Sequence, residues 1–344
     1  MGITTPSIEE WRQLFDLAIK FKETKSWEWM DYINVFGVQD PNTGEICYFN
    51  VVDVSGEEGN LYALALYPGD EGLISLLEIL DERRPEDEQF YFSDIIVVQF
   101  SDRGFLSRED LEIIKKLGLK FRGKGNWISF KRMLPGYLPR IINKEEANLL
   151  LATLEQAIDI CLMFRDNPEL KVKDETLIRT SKKEGPNIIW EDKWVELDYP
   201  PEELSVYDPK EVIENGINAI KPQRSLEEWA IDFLFLPNPV RDDEESEEIY
   251  FPYFGIVMNN ITKAGINFGM YKYSREDRLT YPVELFLNTV EITDRLPRSI
   301  VVRDEDVYNV LLEIVKPLKI ALKLVEKIEP AEEFKRLIKG SLEE

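Results

Sequence analysis

The 344-residue sequence contains no histidine. This absence excludes Ser-His-Asp and Cys-His nucleophilic schemes, histidine general bases and every imidazole metal site. Any catalysis would have to rely on carboxylates, lysine, tyrosine or a hard cation held by oxygen ligands. The sequence therefore favours a non-catalytic protein.

Several other signatures are also missing. Cys47 and Cys161 are far apart and have no CxxC spacing, so we expect two unpaired thiols in a reducing cytoplasm. We expect no secretory signal, because the first residues lack a basic segment followed by an apolar one, and no membrane span, because no apolar run approaches ~20 residues. The phosphate-binding motif GxxxxGK[ST] is absent, and the Gly123–Gly125 run is too short for GxGxxG. We therefore predict no bound cofactor.

Positive charge is scarce in the chain as a whole. With 66 Asp and Glu against 42 Lys and Arg, the formal net charge is −24, which disfavours generic binding to nucleic acid or anionic membranes. A content of 44% hydrophobic and 31% charged residues is typical of globular proteins and argues against wholesale disorder. The length is sufficient for two domains with sizeable cores.

Three stretches of the first half recur in the second half, at offsets of 201, 204 and 204 residues. The pairs are LEIIKKLGL at 111–119 and LEIVKPLKI at 312–320, IIVV at 95–98 and SIVV at 299–302, and YALALY at 62–67 and INFGMY at 266–271. This near-constant spacing indicates an internal duplication.

Local patterns define the elements of each half. The capping boxes that begin at Ser7 and Asn143 predict helices over about 7–22 and 143–165. Strand-like runs at 32–39, 46–54 and 61–67, with short turns between them, predict an antiparallel meander. The Gly-, Pro- and aromatic-rich segment 121–139 is predicted to be irregular.

These patterns predict the α+β fold class. We expect two related α+β modules, at 1–142 and 223–344, each with an antiparallel meander and helices. Residues 143–222 would join them as a connector, composed of a helix and a small strand-rich segment.

The charge distribution provides the main candidate site. Nine Lys or Arg and no Asp or Glu lie between Ile113 and Lys144, and aromatic residues are interleaved with them. Cations and rings in alternation resemble a single-strand-binding groove, in which cations contact phosphates and rings stack on bases. The predicted binding residues in the loop 120–140 are Arg122, Lys124, Trp127, Lys131, Arg132, Tyr137 and Arg140. An alternative interpretation is that this basic loop packs on the acidic body of its own chain.

A second candidate site consists of carboxylates. Asp70 and Glu71 lie at a strand-to-helix turn, and Asp94 and Asp102 flank the next strand. Carboxylates at strand ends can hold Mg²⁺ through oxygen ligands. Acidic residues at a helix start are also explained by the helix dipole, without any metal.

The runs LYALALYPGDEGL and LPGYLP, with VVQFSDRGFLSREDLEIIKKLGLKFRG, give the first half a resemblance to a known group. It resembles a family of uncharacterised bacterial proteins with a domain of unknown function, and the second half resembles a domain that often follows it. The resemblance implies a cytoplasmic bacterial protein with two α+β domains. It implies no substrate, cofactor or catalytic residue.

The sequence thus predicts a non-catalytic interaction module that contacts a protein or polyanion through the loop 120–140. A Mg²⁺-dependent hydrolase and a single-stranded nucleic-acid binder are the alternatives. We expect no membrane partner, and the net charge makes nucleic acid the less favoured polyanion.

Overall fold

A computed structural model describes residues 4–54, 56, 59–172, 174–185, 187–200, 208–242 and 248–340. Within these residues the chain divides into two compact units. Unit 1 consists of Met1–Leu134 and Pro139–Pro200, and unit 2 consists of Pro135–Leu138 and Pro201–Glu344. Both units combine helices with mixed sheets, so the α+β class is confirmed.

Unit 1 contains five α-helices and eight strands among its described residues. In chain order they are α1 (Ile8–Thr24), β1 (Phe36–Gln39), β2 (Ile46–Asp53), β3 (Leu61–Pro68), α2 (Gly69–Leu80), α3 (Glu86–Phe92), β4 (Ile95–Ser101), α4 (Arg108–Lys116), β5 (Trp127–Met133), β6 (Arg140–Ile141), α5 (Lys144–Asp166), β7 (Thr176–Glu184) and β8 (Asn187–Val195).

All eight strands of unit 1 form one sheet, in the order β6-β5-β4-β3-β2-β1-β7-β8. Neighbouring strands are antiparallel except β1 and β7, which are parallel, with Phe36 opposite Leu177. One face of the sheet packs on α1 and α5, and the other packs on α2. The predicted meander is confirmed as β1–β3, and the Ser7 and Asn143 capping boxes begin α1 and α5 as expected.

The PGDEGL run is the tight turn between β3 and α2. Gly69 has a φ of +56°, a region that favours glycine. A Cβ on Gly72 would collide with the backbone of Tyr67, so the first turn of α2 can fold back onto the end of β3 only with glycine there.

Two predictions about unit 1 differ from the structure. The segment 121–139 is not irregular throughout, because Trp127–Met133 forms the strand β5. The helix and strands expected in the connector, α5, β7 and β8, are part of unit 1: α5 packs against α1, and β7 pairs with β1. Unit 1 therefore extends to residue 200 rather than ending near 142.

The helix α5 bears on the expectation that no segment spans a membrane. Among the described helices it is the one long and apolar enough to cross a membrane, with 23 residues and a mean hydropathy of 1.4 over its most apolar window. Its buried residues, which include Leu150, Leu154 and Phe164, belong to the core between α1 and the sheet. A core helix satisfies the same length and composition test.

Unit 2 has a smaller main sheet than unit 1, and its elements follow in chain order. They are α6 (Pro209–Glu211), a π-helical turn (Val212–Ile217), α7 (Asn218–Ile220), β9 (Gln223–Arg224), β10 (Glu228–Phe235), β11 (Pro252–Asn259), β12 (Gly265–Lys272), α8 (Thr280–Thr293), β13 (Arg295–Leu296), β14 (Ser299–Val302), α9 (Glu305–Val315), β15 (Ala321–Leu324) and α10 (Glu329–Gly340). The five-stranded sheet has the order β12-β11-β10-β14-β15.

The structure does not confirm an internal duplication. Both units contain an antiparallel three-stranded meander, β1–β3 in unit 1 and β10–β12 in unit 2. In unit 1 the next strand, β4, is antiparallel to the third meander strand, β3. In unit 2 the strand β14 is parallel to the first meander strand, β10. The recurring sequences therefore share an order of elements but not a sheet topology.

Candidate interaction surface

The predicted binding residues do not form one surface. Lys131, on β5, lies with Nζ 2.7 Å from Asp110 Oδ2 and 3.4 Å from Ser107 Oγ. Ser107 and Asp110 form the capping box of α4, and the Asp110 side chain is only 4% exposed. Lys131 thus neutralises a buried carboxylate within unit 1.

Arg132 and Arg140 lie in a second internal network. Arg132 Nη2 is 2.6 Å from Asp94 Oδ1, and its Nε is 3.2 Å from Glu146 Oε1. Arg140 donates to both oxygens of Glu146, at 2.8 and 2.6 Å. The same carboxylate accepts from the Asn143 backbone in the capping box of α5. The two positive charges of the arginines balance the two negative charges of Asp94 and Glu146. The network links β4, β5, β6 and α5.

The predicted aromatic residues are also engaged. Trp127 is half-buried, with the Phe121 ring 6.1 Å from its own and the Arg103 guanidinium 5.6 Å above it. Tyr137 is in unit 2, where its ring lies 6.4 Å from that of Tyr250. The rings therefore do not line a groove beside the cations of β5. Lys131, Arg132 and Arg140 form ion pairs within unit 1, which agrees with the alternative interpretation that these residues pack on their own chain.

Arg122 and Lys124 differ from the rest because both are exposed. They share the connection between α4 and β5, and the last turn of α4, with three further exposed lysines. We call this set the basic turn, and its members are Lys115, Lys116, Lys120, Arg122 and Lys124. None of the five side chains makes an ion pair or hydrogen bond with another residue that the structure describes.

Hydrogen bonds with Asp102 and Asn126 hold the backbone of the basic turn in place. Asp102 Oδ1 accepts a hydrogen bond from the Gly125 backbone N–H at 2.6 Å. Asn126 accepts from Lys22 of α1 and donates to the Arg122 carbonyl at 2.8 Å. Burial lowers the pKa of Lys22. The exposed cations are thus carried on an anchored connection, which reduces the entropy that binding would cost.

The four candidate metal ligands are not brought together. Asp94 and Asp102 lie beyond opposite ends of the seven-residue strand β4, roughly 25 Å apart at ~3.3 Å per residue. Oxygen ligands of one Mg²⁺ must all lie about 2.1 Å from it. Asp94 is, moreover, paired with Arg132, and Asp102 anchors the basic turn. Among the described residues, no three acidic side chains form a group that could hold a metal ion.

Asp70 and Glu71 line an open surface depression of about 510 Å³ at the start of α2. Glu45 and Tyr48 contribute to the same wall. Burial, followed by the nearby charge of Asp70, raises the pKa of the Tyr48 hydroxyl. An acid-lined depression of this kind repels anions, so it is unsuited to the polyanion predicted as partner.

The additional members of the basic turn could have been found from the sequence. Lys115 and Lys116 lie in the last turn of α4, where basic residues are favoured, and Lys120 follows that helix after Gly118. The pairing of Lys131 and Arg132 was not predictable. Asp94 and Glu146, the partners of Arg132, are 38 and 14 residues away in the chain.

The fold and these contacts define a protein of two α+β units. Comparison with family models assigns residues 11–179 to a domain of unknown function (DUF7309) and residues 217–339 to another domain of unknown function (DUF6930). Together these two matches cover most of the chain, and both are to domains of unknown function. None of the curated proteins is similar enough in sequence to match the chain.

Proposed function

We propose that this protein is a non-catalytic interaction module that binds an anionic partner, a protein surface or a polyanion, through the basic turn. The observation that carries the proposal is a group of five exposed cations without ion-pair partners among the described residues, in a chain of net charge −24. Surface cations are normally interspersed with acids. A single-sign cluster creates a local potential that attracts anions.

The neighbouring ion pairs sharpen this assignment. Lys131, Arg132 and Arg140 neutralise carboxylates of unit 1, so they add little field at the surface. The attraction therefore arises from the basic turn, and salt should weaken it, because exposed charges are screened over about 8 Å at physiological ionic strength.

The partner is recognised by charge rather than by base stacking. The Trp127 ring already packs against Phe121 and lies below the Arg103 guanidinium, so the proposal does not rely on it for base stacking. Phosphates or carboxylates are therefore the groups recognised. The proposal places the module in a bacterial cytoplasm, in agreement with its family resemblance and its two buried, unpaired thiols.

The test compares two charge reversals of equal size. Arg122→Glu/Lys124→Glu alters the basic turn, and Lys316→Glu/Lys319→Glu alters exposed lysines at the end of α9, the recurring sequence of unit 2. Polyglutamate, polyphosphate and an oligo-dT strand serve as probes in binding titrations at low and physiological salt. We expect binding to at least one probe, a loss of roughly tenfold or more in the first variant only, and unchanged melting temperatures.

Absence of binding to all three probes, or equal losses in both variants, would overturn the proposal. The probe that binds best identifies the partner chemistry. Selective binding of polyglutamate indicates a protein surface, whereas selective binding of polyphosphate or oligo-dT indicates a phosphate polyanion.

A further inference from the structure

Four residues of the first half of the chain are part of unit 2. The segment Pro135–Leu138 follows β5 and precedes β6, which are neighbouring strands of the unit 1 sheet. The family model of the first domain spans this segment, whereas that of the second domain begins only at residue 217. The contacts of these four residues show what unit 2 recognises in them.

The segment pairs with the backbone of unit 2 through one antiparallel bridge. Leu138 N–H donates to the Ile249 carbonyl at 2.9 Å, and Phe251 N–H donates to the Gly136 carbonyl at 2.7 Å. Tyr137 and Tyr250 lie opposite each other in an antiparallel bridge. Tyr250 is also bridged to Val240, so it is paired on both sides. Backbone hydrogen bonds between a short peptide segment and a protein are a common mode of peptide recognition.

The side-chain environment selects glycine at the second position. Gly136 has a φ of +80°. A Cβ there would lie 2.9 Å from Tyr273 Cβ and 3.3 Å from the Phe235 ring. Both the backbone angle and the close approach exclude other residues. The rings of Tyr273 and Phe235 also contact each other, with centroids 5.4 Å apart. Neither residue can therefore easily move to make room for a side chain at position 136.

An aromatic residue is selected at the third position. Lys272 Nζ lies 5.6 Å from the centroid of the Tyr137 ring and 5.0 Å from that of Tyr250, which places one cation against two rings. Glu248 and Asp242 hold the ammonium at 2.8 and 3.3 Å. A cation over an aromatic face contributes attraction beyond packing alone.

We propose that unit 2 is a docking site for a segment in which a Pro-Gly turn precedes an aromatic residue, and that Pro135–Leu138 is its built-in occupant. A partner that carries such a segment binds by displacing the tethered one. The built-in segment competes with the partner at an effective concentration on the order of millimolar. The partner therefore binds tightly only when Pro135–Leu138 has left the site. This proposal is independent of the basic turn.

The test uses the full chain and a labelled peptide with the sequence MLPGYLPR, residues 133–140. Gly136→Val/Tyr137→Ser should expel the built-in segment, because a branched side chain fits neither the φ of +80° nor the space beside Tyr273. We expect fluorescence anisotropy to show peptide binding to this variant, and binding to the native protein weaker by roughly tenfold or more. A control peptide with valine in place of its glycine should bind neither protein.

Failure of the folded variant to bind the native peptide would overturn the proposal. If the double variant does not fold, Tyr137→Ala provides a milder change. Amide hydrogen exchange at Phe251, whose N–H donates to Gly136, should then accelerate and return towards the native rate when peptide is added. If exchange is unchanged by peptide, or if this variant also fails to fold, the segment is a fixed structural element and not an exchangeable ligand.

Discussion

Arg132 Nη2 lies 2.6 Å from Asp94 Oδ1, and the two side chains are only 10% and 12% exposed. Replacing Arg132 by Met leaves Asp94 and part of Glu146 uncompensated in a buried site. Removing one partner of a buried pair costs about 3–5 kcal/mol of unfolding free energy. Urea unfolding followed by tryptophan fluorescence measures this in unit 1, which contains six of the seven tryptophans. Arg122→Met is the control, and we expect it to stay within about 0.5 kcal/mol. Equal effects of the two changes would contradict the burial of the pair.

The pH dependence of unit 2 should report on Glu228. Its carboxylate accepts hydrogen bonds from Lys323 at 2.6 Å, Asn260 at 2.7 Å and Ser299 at 2.8 Å, which together lower its pKa to about 2. Since the folded pKa is below the ordinary value of 4.5, the stabilisation is fully present above pH 4.5 and is lost as the pH falls towards 2. Calorimetric melting from pH 6 to pH 2 should therefore show a larger loss for the native protein than for Glu228→Gln.

The exposed Glu313 provides the comparison for this pH series. Glu313→Gln should follow the native curve throughout. Parallel curves for the native protein and Glu228→Gln would show that the three hydrogen bonds do not persist in solution.

The two thiols should be inert in the folded protein. Cys47 and Cys161 are fully buried in the core of unit 1, and burial raises the pKa of both, that of Cys161 to about 12. Thiolate is the reactive form, so a disulfide reagent at pH 8 should label neither until unit 1 opens. Stopped-flow labelling measures the rate, and Lys124→Cys should react at once as the exposed control. Arg132→Met should accelerate labelling, and rapid reaction of the native thiols would contradict the described core.

Glycine at position 255 should be essential for the packing of unit 2. A Cβ there would lie 2.5 Å from the Phe233 ring and 2.8 Å from Leu285 Cδ2. Overpacking of this degree typically costs about 1–3 kcal/mol, so Gly255→Ala should lower the melting temperature of unit 2. Gly265→Ala serves as control, because nothing lies within 4 Å of its added methyl group. A neutral Gly255→Ala would show that the ring of Phe233 can move aside.

Elements with local signals were predictable. The helix α1 follows from its capping box and its buried stripe, Trp11, Leu14, Ala18 and Phe21, and the meander follows from its turns. The strand β5 was missed because Gly123, Gly125 and Gly136 surround it, and because charges at 131 and 132 imitate a solvated loop. The available signal was the alternation of the apolar residues Ile128 and Phe130, both of which are buried.

The candidate site was only half predictable for a related reason. A sequence shows where cations lie but not which of them meet a carboxylate from a distant element. Arg122 and Lys124 are exposed, whereas Arg132 pairs with Asp94 and Glu146, which are 38 and 14 residues away in the sequence. The position of Tyr137 in unit 2 has no local signature at all.

The parallel pairing of β1 with β7 has a consequence for biosynthesis. Leu177 leaves the ribosome about 140 residues after its partner Phe36. At about 5–20 residues per second, the edge of β1 on the nascent chain stays open for on the order of ten seconds. During this time its unpaired N–H and C=O groups can template the strands of neighbouring polysomal chains. A chain truncated before β7 would keep this edge open permanently, so premature termination products of this protein should be among the first to aggregate.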